Sequence, residues 1–155
     1  MKLSEHLSLA EFSRSDTAKR KGIDNTPKGE HLEAAKNLAE KVFEPIRTHF
    51  GKPIFISSGY RSAELNKAIG GAATSQHSKG EAIDIDMDGH GGPSNTEVYN
   101  YIKDNVDFDQ LIWEFGDDTK PDWVHVSYKK TGAQRGEILR ARRNSAGKTY
   151  YEKIK

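Results

Sequence analysis

The chain has 155 residues, 34% of them hydrophobic and 30% charged, the balance of one globular domain long enough to bury a core rather than of a disordered or membrane chain. A formal charge of +1 argues against a dedicated nucleic-acid binder, which carries a larger basic excess. With no cysteine, disulfides are excluded, and any metal falls to histidine and carboxylate ligands, which zinc accepts.

Met1 to Ser8 lacks the apolar stretch of a signal peptide. No run of about 18 apolar residues reads as a membrane span. Leu3 to Arg20 reads as a turn or two of helix anchored by Leu9 and Phe12. A strong helix follows. Thr26 can cap it, Pro27 suits its first position, and Leu32, Ala35, Leu38, Ala39, Val42, Phe43 and Ile46 recur at helical spacing up to a stop at Gly51. Pro45, inside this pattern, predicts a kink or an early end.

Pro53 to Ser58 reads as a strand and Arg61 to Ile69 as a short helix, with a Gly/Ser-rich loop from Gly70 to Gly80. Glu81 to Met87 alternates strictly. Ile83, Ile85 and Met87 fall on one face, and Ala82, Asp84 and Asp86 on the other. Asn95 to Asn105 predicts a helix, and Phe108 to Phe115 and Trp123 to Tyr128 predict strands. Glu137 to Arg142 predicts an edge strand. The basic stretch from Arg135 to Arg143 has no interleaved aromatic residues and reads as a solvated face. Helices come first and strands later, at hairpin-compatible spacing. This predicts an α+β fold, a mainly antiparallel sheet with helices packed on it, in one domain over residues 1–155.

Of six histidines, His6, His31, His49 and His90 have no evident partners in the sequence. His77 ends a loop, and Asp84 follows on the polar face of a strand, where a carboxylate needs a partner or a metal. His125 sits mid-strand among apolar neighbours. Two histidines and one carboxylate leave zinc a fourth position for water, as catalytic sites do. Taken singly, His125 reads more readily as a hydrogen-bonded sheet histidine. Asp84 alone could be a capping group or a salt-bridge partner of Lys79 or Arg61. Composition and periodicity leave the two accounts equally open.

Order and spacing add to this. Ser58-Gly59-Tyr60-Arg61-Ser62, Leu65-Asn66, Ser75 through Asp84 with its Ser-x-His-x-x-Gly-x-Ala-x-Asp pattern, Ile112-Trp113-Glu114 and Asp122-Trp123-Val124-His125-Val126-Ser127 run in sequence over residues 53–128. This series resembles the zinc D-Ala-D-Ala carboxypeptidase family, which includes D,D-dipeptidases and phage L-alanyl-D-glutamate endolysins and shares its fold with the hedgehog signalling domain. The resemblance implies one Zn2+ held by His77, Asp84 and His125. It implies a catalytic carboxylate three residues before the last ligand, Asp122, with Glu114 as the fallback base, and an oxyanion- or substrate-holding Arg61. Ser75 and Gln110 are expected to line the substrate pocket.

The expected function is hydrolysis of peptide bonds in peptidoglycan stem peptides, as a D,D-carboxypeptidase or an L-alanyl-D-glutamate endopeptidase. Its rivals are a zinc-binding module without catalysis and a phage structural module of the same fold. The expected partner is the stem peptide, met by a monomer with no nucleic acid and no membrane span. The protein would be made in the cytoplasm and act at the wall after release or as part of a phage particle. All of this requires three side chains distant in sequence to meet at one point.

Overall fold

The computed structural model describes residues 1–155. The chain opens with a small hairpin, β1 (Lys2–Ser4) and β2 (Leu7–Ser8), where a short helix alone was expected, and continues into α1 (Leu9–Ser13) and α2 (Asp16–Lys21). Ser8 and Glu11 form a reciprocal capping box at the start of α1. Phe12 is fully buried and Leu9 packs against the core.

The long helix begins later than Thr26 and Pro27 suggest. Gly29 precedes α3 (Glu30–Leu38), and the Thr26 amide is held instead by the Asp24 carboxylate. A π-helical turn, Ala39–Phe43, joins α3 to α4 (Glu44–Phe50). Its cause lies in Pro45, which has no N–H to give and whose ring would strike the preceding turn. The backbone widens just before it, so that the Glu44 amide reaches back to the Ala39 carbonyl. Gly51, at φ 63°, ends α4 as the sequence suggests.

Next come β3 (Ile56–Ser58), α5 (Ala63–Ala68), a 3₁₀ turn (Gln76–Lys79) and β4 (Ala82–Ile85). Helix α6 (Asn95–Asn105) has the predicted bounds, set by a second capping box between Ser94 and Glu97. Four strands complete the chain: β5 (Gln110–Glu114), β6 (Trp123–Ser127), β7 (Glu137–Arg143) and β8 (Thr149–Lys153). No helix is long and apolar enough to cross a membrane.

The main sheet has the order β3-β4-β6-β5-β7-β8. All its pairings are antiparallel except β5 with β7, which is parallel. The fold is therefore α+β with a mostly antiparallel, mixed sheet. Strand β7 is not the edge that was expected, since β8 pairs on its outer side. Alternation gives the sheet two working faces. Ile83, Ile85, Leu111, Val124, Val126 and Ile138 point into one core with Val42, Phe43, Ile46, Val98 and Ile102 from the helices. The opposite face carries Asp84, His125, Ile112 and Glu114.

Candidate metal centre

Register brings the site together. Asp84 on β4 lies directly opposite His125 on β6, and His125 lies opposite Ile112 on β5. Two of the three expected ligands are thus cross-strand neighbours, with side chains on the same face. The third, His77, arrives on the 3₁₀ turn. Ser75 caps that turn, its Oγ accepting from the His77 amide at 3.2 Å. Gly80 ends it at φ 76°. A Cβ on Gly80 would stand 2.4 Å from the His31 carbonyl oxygen of α3, so only glycine lets the turn lie so close to the helix.

The three side chains converge. Asp84 Oδ1 lies 3.2 Å from His77 Nε2 and 3.0 Å from His125 Nδ1. The ring centroids of the two histidines are 5.1 Å apart. One ligand atom from each of the three residues falls within 4.8 Å of the others. His77 is 3% exposed and Asp84 6%. The other ring nitrogen of His77, Nδ1, is 2.7 Å from the Gly59 carbonyl oxygen. That carbonyl only accepts, so Nδ1 donates to it and Nε2 is the ring atom that faces Asp84 and would serve as the ligand to a metal. Two ligands each about 2.1 Å from a zinc ion at the tetrahedral angle stand about 3.4 Å apart, close to the spacings found here. The donor set and its geometry therefore fit one zinc ion and leave a position free.

Electrostatics agree. Burial works to raise the Asp84 carboxyl, but the charge and hydrogen bonds of His77 and His125 outweigh it and hold the group well below the usual carboxylate range. Arg61 adds a contact from the far side, Nη2 to Asp84 Oδ2 at 3.4 Å, and its Nε donates to Ser58 Oγ at 3.1 Å.

A cleft of about 780 Å3 opens over these residues. His77, Asp84, His125, Arg61, Ser75, Gln110 and Glu114 all line it. Asp122 does not. It is exposed and lines a separate depression with Gly116 and Tyr150. The reason is parity: an odd separation of three residues from His125 puts Asp122 on the other side of an extended strand. Glu114 faces Trp123 across the β5–β6 ladder and shares the His125 face. It is 8% exposed, and burial pushes its carboxyl up to about 7, with the Asp84 charge adding and His125 and Arg61 opposing. Phe115, next along, takes a left-handed φ of 56°, a strained conformation for a non-glycine residue at the mouth of the cleft.

Several supports were not foreseen. Asp109, fully buried just before β5, receives Arg135 through Nε at 3.1 Å and Nη2 at 2.7 Å, and Gln76 Nε2 at 3.0 Å. It ties β5 to the residue beside His77 and to the loop entering β7. Ser127 Oγ accepts from the Gln110 amide at 3.0 Å, tying β6 to the start of β5. The histidines without evident partners also have them: His6 meets Glu44, His31 meets the Tyr60 hydroxyl, His49 stacks on Tyr101 and His90 on Phe55.

Two histidines and an aspartate lining a cleft, with a buried carboxylate of raised pKa nearby, make a candidate metal centre whose donor set matches that of catalytic zinc sites. The family model of peptidase M15 matches residues 5–127, and the chain belongs to that zinc-dependent peptidase family. No characterised protein matches it in a direct sequence search. The matched stretch contains His77, Asp84, His125, Arg61, Ser75, Gln110 and Glu114, and β7 and β8 lie beyond it.

Proposed function

We propose that the protein is a zinc peptidase that cuts the stem peptides of bacterial peptidoglycan, with His77, Asp84 and His125 holding the metal and Glu114 as general base. The observation that carries this reading is the placement of Glu114 in the same cleft as the three ligands, buried and on the His125 face. Bound zinc supplies Lewis acidity, polarising a carbonyl and making water easier to deprotonate. Glu114 takes a proton from the attacking water on a carboxylate oxygen and passes it to the leaving amine. Burial strengthens the Glu114 carboxylate as a base, which suits the first transfer. Arg61, fixed by Ser58 and Asp84, places a permanent charge where the carbonyl oxygen becomes negative. Lys79 and Lys129 also line the cleft and favour a substrate with free carboxylates. Stem peptides carry these whether the bond cut is D-Ala-D-Ala or L-alanyl-D-glutamate.

Digestion of purified sacculi by zinc-loaded protein, with mass analysis of the fragments, tests this reading and identifies the bond. Glu114→Gln is expected to lower the rate by about 10²–10⁴-fold with zinc content unchanged. Asp122→Asn is expected to stay within about twofold of wild type. Full zinc occupancy with no fragment released from any stem peptide would instead favour a non-catalytic zinc-binding module.

A further inference from the structure

Strand β8 was not expected from the sequence and lies outside the family-matched stretch, yet two of its residues, Thr149 and Tyr151, line the metal cleft. The register explains how. Glu114 on β5 pairs with Ala141 on β7, and Ala141 pairs with Tyr151 on β8. The three form one row across the sheet. In neighbouring strands, paired residues point to the same face, so Tyr151 and Glu114 rise on the same side with the small, fully buried Ala141 between them. Two strand spacings separate their backbones, about 10 Å, and the methyl of Ala141 leaves a tyrosine free to lean inward over it.

We propose that Tyr151 contacts the substrate, its phenol hydroxyl donating a hydrogen bond to the peptide at the bond being cut, from the side of the cleft opposite Arg61. This rests on the peptidase reading of the site. The sheet order sets the opposition: Arg61 follows β3 at one end of the sheet, the ligands occupy β4 and β6 in the middle, and Tyr151 enters from β8 at the other end. The two donors also differ in commitment. Arg61 already binds Ser58 and Asp84, whereas no partner inside the protein engages the Tyr151 hydroxyl. Burial and then the charges of Glu114 and Asp84 raise the phenol above its ordinary value, which keeps the donor proton in place at neutral pH. Tyr151 is 56% exposed, so part of its surface stays open to an extended peptide lying in the cleft.

The test compares Tyr151→Phe and Tyr151→Ala with wild type on the stem peptide identified from sacculi. It also measures, by calorimetry, the affinity of each for a phosphinic analogue of that peptide. Tyr151→Phe is expected to lower kcat by at least about tenfold with little change in KM, since a donor that strengthens in the transition state acts on kcat. Its affinity for the phosphinate should fall by a similar factor, with zinc content unchanged. A fully active Tyr151→Phe overturns the proposal, including the case in which only Tyr151→Ala is impaired and the ring rather than the hydroxyl matters. Wild-type protein that binds zinc and cuts no stem peptide overturns the peptidase reading and this inference together.

Discussion

Glu114 is the residue whose surroundings differ most from those of an ordinary surface carboxylate. Its folded-state pKa of about 7 stands above the reference value of 4.5, so folding favours its protonated form. Below pH 4.5 the side chain is neutral in folded and unfolded chains alike and stability is at its full value. Between 4.5 and 7 the unfolded chain ionises first, and stability falls as pH rises; above 7 the whole cost remains. For zinc-free protein this amounts to about 3 kcal/mol at most. Urea unfolding in the presence of chelator should therefore show wild type losing stability relative to Glu114→Gln between pH 5 and pH 8. Parallel curves would show that Glu114 is solvated. The candidate ligands that the structure gathers were legible because a ten-residue pattern carries two of them. The proposed base was harder to read. The family resemblance pointed to Asp122, three residues before His125, but an extended backbone places residues three apart on opposite faces. Glu114 lies eleven residues before His125, and only the hairpin register shows that they share a face.

At the scale of elements, the site depends on how the 3₁₀ turn is seated. The turn is fastened by Ser75 from within, by the Arg61 amide to the His77 carbonyl at 3.1 Å, by Asp109 through Gln76, and by the close approach of Gly80 to α3. Gly80→Ala would set a methyl against the His31 carbonyl and impose a left-handed backbone on alanine. We expect a loss of at least about 2 kcal/mol in chemical unfolding and weaker zinc binding by equilibrium dialysis, because His77 moves with the turn. Unchanged zinc affinity would mean that the seat does not position the ligand. Helix α6 could be read to its exact ends because its capping residues are local signals. The break in the long helix could be read only as a kink at Pro45, since the widened turn lies upstream of the proline that causes it. Strand β8 could not be read at all: Thr149–Lys153 is exposed throughout and lacks the apolar alternation by which strands are recognised.

Across the whole molecule, the metal links residues from widely separated stretches, so its binding should stabilise the fold as well as the site. At about 100 times the dissociation constant, the gain is about 2.7 kcal/mol. For a chain of this size that corresponds to a rise of roughly 5–10 °C in Tm. Calorimetric scans with zinc and with chelator check this, and a His77→Ala variant should lose the difference. Coincident scans for the wild type would mean that the three side chains hold no ion in solution.

The placement of β7 and β8 has one more consequence. They cover the flank of β5 that would otherwise present a row of unsatisfied amide and carbonyl groups to any passing chain. The outermost border of the sheet becomes β8 instead, a strand carrying Glu152 and Lys153, charges that discourage such pairing. A version of the protein shortened to the family-matched stretch would keep every ligand yet bare that flank, and it should self-associate into oligomers or aggregates before it lost its affinity for zinc.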